Sequence, residues 1–169
     1  SADSSSFRHP SGVAPGATRP YGAGHSKWSR VPFVSDSDLF ETTSEAETSG
    51  IRVCVRARYS PEHSSPPSSR WFFLYTIRIS NEGDETVQLL NRHWTIVDGT
   101  GHTEEVHGPG VVGEQPALES GQTFEYTSGC PLPTPFGSMA GTFEMQRADG
   151  TRFSAEVGIF QLIQPGSIH

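Results

Sequence analysis

The residues from Ile51 to Tyr59 alternate without a break. Ile51, Val53, Val55, Ala57 and Tyr59 share one face, and Arg52, Arg56 and Arg58 share the other. Strand side chains point to opposite faces in turn, so this spacing specifies a half-buried strand and no helix. Residues 71–79 form a second strand, apolar on both faces at its start and alternating later. Between them, residues 60–69 hold Pro61, Pro66 and Pro67 and must be a loop. Shorter strands are predicted at 86–90, 93–98, 123–128, 138–147 and 151–163. Turns fall at 81–84 and 98–101, and Ala148-Asp149-Gly150 signals a hairpin. No stretch carries a helical period. Seven or eight antiparallel strands at this spacing are expected to close as a two-sheet β-sandwich.

The chain divides near Gly50. Residues 1–49 are rich in Ser, Pro and Gly, and their large apolar residues are few: Phe7, Tyr21, Trp28, Phe33, Leu39 and Phe40. Such a segment buries too little apolar area to offset its ordering entropy. It is read as an extended, irregular arm before a domain spanning residues 50–169. Its charge is segregated. Arg8, Arg19, Lys27 and Arg30 face only Asp3 in residues 1–30, whereas Asp36, Asp38, Glu41, Glu45 and Glu47 follow without a base. This pattern suits an arm that lies on a partner protein, with Trp28, Phe33, Leu39 and Phe40 as anchors.

Composition removes several function classes. A net charge of −7 argues against a nucleic-acid partner, which needs a basic footprint. No apolar run approaches the ~20 residues of a membrane-spanning helix. Two cysteines, Cys54 and Cys130, cannot make a disulfide scaffold. They are read as reduced thiols of an intracellular protein. The chain starts at Ser1 without an apolar signal core in residues 1–10, which suits a processed form and a mitochondrial location.

Little in the chain points to catalysis. Gly108, Gly110 and Gly113 form a G-x-G-x-x-G, but no helix follows to hold a pyrophosphate, because Glu114-Gln115-Pro116 intervenes. A looser nest of backbone N–H groups remains as the alternative reading. It would bind pyrophosphate, a nucleotide or a divalent cation at loop 108–113. His102 and His107 flank Glu104 and Glu105. In an extended segment residues 102 and 104 share one face, and 105 and 107 the other, so the four do not converge and no metal ligand set is nominated. Cys54 lies among arginines that would lower its pKa if they shared its face, but a small, half-buried thiol is expected. Lys27 is the only lysine, so the domain offers no Schiff-base lysine. No catalytic residue and no cofactor is assigned, and the chain is not expected to be an enzyme.

From about Ile51 to Pro165 the chain resembles the ApaG domain family. The resemblance rests on Leu89-Leu90-x-Arg92-His93-Trp94-x-Ile96-x-Asp98-Gly99-x-Gly101 and on Val106-x-Gly108-x-Gly110-Val111-Val112-Gly113-Glu114-Gln115-Pro116. It continues through Phe124-x-Tyr126-x-Ser128-Gly129 and Thr134-Pro135-x-Gly137-x-Met139-x-Gly141-x-Phe143-x-Met145. The combination is specific, although no single piece is. It implies an immunoglobulin/fibronectin III-like sandwich with the glycine loop as a family hallmark. Bacterial members are linked to cobalt and magnesium tolerance without a settled activity, and eukaryotic ones act as protein-interaction modules. Two features depart from the family: the long loop 60–69 and the arm, which does not look like an F-box segment. The resulting expectation is a non-catalytic interaction module, an accessory subunit of a larger assembly tethered by its arm.

Overall fold

The computed structural model describes residues 40–166 and the backbone of Pro20 and Tyr21. In chain order the strands are β1 (Pro20–Tyr21), β2 (Thr42–Thr48), β3 (Ile51–Tyr59), β4 (Trp71–Asn81) and β5 (Val87–Asp98). There follow β6 (Thr103–Pro109), β7 (Ala117–Leu118), β8 (Thr123–Leu132), β9 (Phe136–Arg147) and β10 (Arg152–Ile163). One sheet runs β1-β8-β4-β3-β2 and the other β10-β9-β5-β6, with β7 paired to β5. Every pairing is antiparallel. Among the described residues no helix is long and apolar enough to cross a membrane. The expected all-β sandwich is the fold found.

The alternation at Ile51–Tyr59 survives intact: each odd residue is buried and each even one half-buried. The inner faces of both sheets meet in one apolar core. Trp94 of β5 ties the layers together. Its ring lies 5.7 Å from Tyr75 of the opposite sheet, and 6.0 and 6.1 Å from Phe143 and Phe160 of its own. These edge-on arrangements suit the aromatic quadrupole. Gly141 makes room for the indole, since a Cβ there would sit 2.2 Å from the His93 carbonyl oxygen and 2.9 Å from the Trp94 ring.

Three expectations change. First, Thr42–Thr48 is not irregular arm but the edge strand β2, paired along its length with β3. The continuous run of paired strands through β3 and β4 therefore begins at residue 42 rather than 50. The segment TTSEAET has no large apolar residue and buries none completely, so it has no apolar period to find. Its hydroxyls hold it instead. Thr42 and Ser44 donate to the carbonyls of Gln161 and Gly158, and Thr48 accepts from the Glu156 N–H. Side chains thus cap open backbone groups of β10, a sheet edge that would otherwise invite another strand.

Second, the strands expected at 86–90 and 93–98 are one strand. The register of β5 slips between Leu89 and Asn91, which marks a bulge. Before the slip the odd residues Val87 and Leu89 face inward; after it the even residues Trp94 and Ile96 do. That change of parity reads as a strand break in the sequence. Third, residues 103–109 are the regular strand β6, where none of the predicted strands lay. Among the described residues eight strands have seven residues or more, so the expected number holds although two of its members differ.

Cys54 and Cys130 are both free thiols. Cys54 lies on the outer face of β3 and Cys130 on the inner face of β8, with β4 between the two strands. A disulfide would need Cβ atoms about 3.5–4.5 Å apart, which opposite faces of a sheet do not allow. Cys54 does share the arginine face, yet its pKa is raised, first by burial and then by the Glu45 carboxylate. Burial also pushes the Cys130 thiol well up.

Candidate functional site

The bulge in β5 organises one end of the molecule. The Leu90 carbonyl there accepts from the Gly110 N–H at 2.8 Å and from Gln115 Nε2 at 2.9 Å. Arg92, just beyond, faces inward with Trp94. Its guanidinium lies against Gly108, where a Cβ would approach to 2.9 Å, and donates to the carbonyls of Pro109 and Gly110 at 2.9 Å each. The glycine loop is thus clasped to β5 from two sides.

The loop is a tight hairpin. Val111 and Glu114 exchange both backbone bonds at 2.8 Å around Val112 (φ 42°) and Gly113 (φ 82°). Two central residues with positive φ are the signature of a type I′ turn. Gly110, at φ 63°, cannot carry a side chain, since a Cβ would lie 2.3 Å from the Glu114 carbonyl oxygen. The N–H groups of Gly110, Val111 and Glu114 are spent on internal bonds. Val111 is buried in the core. Of the glycines in the alternative ligand-binding reading, Gly108 is the penultimate residue of β6 and Gly110 and Gly113 shape the turn. Their geometry is accounted for by the clasp.

The same bulge turns His93 outward. The β5–β6 register sets His93 opposite His107, and Thr95 opposite Glu105. Glu105 and His107 share a face of β6, so Glu105 lies diagonal to His93, within reach across adjacent strands. The two imidazoles stack with centroids 4.0 Å apart and planes 16° from parallel. Glu105 Oε1 lies 2.9 Å from His93 Nε2 and 3.7 Å from His107 Nε2. A shallow groove of about 400 Å³ opens beside them, lined also by Asn91, Pro109, Thr142 and Glu144. Asn91 and Arg152 hydrogen-bond the Glu144 carboxylate and hold its pKa below the usual range.

The sequence reading separated Glu105 and His107 from His102 and Glu104 by strand parity, and the structure keeps that separation. It missed His93, which comes from the neighbouring strand. The signal was present: reflecting His93 through a hairpin centred on Thr100 lands on His107. With no strand predicted at 103–109, that pairing stayed hidden. Of the proposed arm anchors, Phe40 stands two residues before the start of β2 and is 39% exposed. Trp28, Phe33 and Leu39 lie outside the described residues.

Comparison with known proteins identifies the scaffold. A sequence model of the ApaG domain matches residues 61–147. Protein ApaG of Methylobacterium sp. (strain 4-46) is 55% identical over 121 residues, covering 72% of this chain and 93% of that protein. Protein ApaG of Anaeromyxobacter dehalogenans (strain 2CP-C) is 52% identical over 126 residues, covering 75% of this chain and 99% of its own. The crystal structure of the putative ApaA protein from Bordetella pertussis superposes with a TM-score of 0.67 at 47% identity. That match covers 69% of this chain and 94% of the other. The clasped glycine loop, the two-sheet scaffold and these relatives agree: the chain belongs to the ApaG domain family.

Proposed function

We propose that the chain is a non-catalytic protein-interaction module, an accessory subunit held in a larger assembly by the arm that leads into β2. The observation that carries this reading is the apolar exposure where the arm joins the sandwich. Phe40 and Phe136 are 39% and 37% exposed. Phe136 pairs with Ile163 at the end of β10. Phe40 precedes Thr42, whose hydroxyl reaches Gln161 on the same stretch of β10. Both rings therefore stand at one end of the molecule, beside the start of β2. A partner that received Trp28, Phe33 and Leu39 would cover this end as well, and buried aromatic anchors are the usual source of interface affinity.

The test is recovery of native assemblies with the tagged full chain. Trp28→Ala combined with Phe33→Ala is expected to abolish co-purification of partners, while Phe40→Ala weakens it. The thermal unfolding of all three proteins should stay alike. Unchanged recovery with the double variant overturns the reading.

A further inference from the structure

We propose that His93, Glu105 and His107 form a binding site for a divalent transition-metal ion of the zinc type. The three side chains each offer one ligand atom, and these atoms lie within 4.8 Å of one another. A tetrahedral zinc ion holds its ligands at about 2.0–2.2 Å, which sets neighbouring ligand atoms roughly 3.3 Å apart. The two contacts to Glu105 Oε1, 2.9 and 3.7 Å, bracket that spacing. To bind one ion with Glu105, the imidazoles must swing out of their stack so that their in-plane lone pairs converge, a rotation open to side chains at the surface.

The backbone beneath is fixed. His93 sits on β5, hydrogen-bonded to β6 on one side and β9 on the other. His107 and Glu105 project from β6 two residues apart, so strand geometry alone puts them on one face. The hairpin register then decides that His93 joins them. Stability does not explain the cluster well. An exposed His–carboxylate contact contributes little, and two stacked imidazoles repel each other once both are protonated.

The donor set selects the ion. Imidazole nitrogen suits Zn²⁺, Ni²⁺, Cu²⁺ and Co²⁺, whereas Mg²⁺ and Ca²⁺ prefer all-oxygen shells. Three protein ligands leave a fourth position open. The shallow groove beside the cluster runs over β5 between β6 and β9, holds Thr142 and Glu144, and gives a further ligand access to that position. This site borders the glycine loop, whose Gly108 and Pro109 line the same groove, and does not depend on the interaction role of the arm.

The test uses the full chain, stripped with a chelator and titrated calorimetrically with ZnCl₂ or MgCl₂. One zinc ion per chain is expected, with no binding of magnesium at the same concentrations. His93→Gln, His107→Gln and Glu105→Gln should each weaken zinc binding roughly tenfold or more, as a lost ligand costs at least what a lost supporting partner does. His102→Gln, on the exposed turn of the same hairpin, should leave it unchanged. Zinc should raise the melting temperature of the parent chain and of His102→Gln more than that of the three ligand variants. Zinc bound no better than magnesium overturns the proposal, and so does full affinity in His93→Gln and His107→Gln. Glu105→Gln, an exposed and nearly isosteric change, gives a readout even if an imidazole variant fails to fold.

Discussion

Tyr126 lies on the inner face of β8, and its hydroxyl finds no hydrogen-bond partner among the described residues. Burial holds the phenol pKa well above its ordinary value of 10, with the Tyr75 hydroxyl adding to the shift. A buried, unsatisfied hydroxyl costs about 1–3 kcal/mol. The ring also packs against Phe124, with centroids 6.1 Å apart, and would do so without the oxygen. Tyr126→Phe is therefore expected to raise the unfolding free energy by about 1 kcal/mol, read as a higher urea midpoint at unchanged slope. A lower midpoint would mean that the hydroxyl has a partner. Asp98 is the opposite case. Its Oδ1 accepts from the Thr100 hydroxyl at 2.7 Å and from the N–H groups of Thr100 and His102 at 2.8 and 3.2 Å. The Thr100 hydroxyl bond, ahead of the two backbone bonds, lowers its pKa below the ordinary 3.8. The stabilisation from a depressed carboxylate pKa is present above 3.8 and lost as pH falls through the lower folded value. The parent chain should thus lose stability to Asp98→Asn steadily less as pH drops from about 6 to about 2. A constant difference between the two denaturation midpoints would contradict this. Asp98-Gly99-Thr100-Gly101 was legible as a turn, because each residue type there has a local backbone reason. The partnerless state of Tyr126 was not, since it depends on what the other sheet places above it.

Among the elements, β2 shows what a sequence pattern does not carry. Its ladder to β3 is ordinary, but its second attachment is a row of hydroxyls bonded to β10. Ser44→Ala with Thr48→Ala should cost about 1 kcal/mol for each hydrogen bond lost. Amide exchange should then quicken first in β2 and around Glu156, and equal quickening across the whole core would contradict a local role. The bulge in β5 was equally hidden. A single unpaired residue, Leu90, shifts the parity of all that follows. It sends Arg92 inward to hold the glycine loop and His93 outward to meet His107. A period-2 pattern interrupted in this way looks like two strands, and only the ladder with β9 shows that the chain runs on.

For the whole molecule, the hydroxyl contacts make β2 the lid over one open side of the sandwich. A chain beginning at residue 40 should fold cooperatively with a thermal transition close to that of the full chain. One beginning at residue 50 loses β2, uncovers the edges of β3 and β10, and should aggregate or melt several degrees lower. Equal melting temperatures would place the boundary where composition alone put it. By itself, the sequence determined the all-β class, the alternating strand β3 and the turns. These follow from side-chain period and local backbone preference, which neighbouring residues express without help. The tertiary structure alone decided which strands were neighbours. Strand pairing is a long-range choice, made by the burial of both sheets at once and by a bulge that resets the register. That choice converted a glycine run into a clasp and brought His93, Glu105 and His107 to one place.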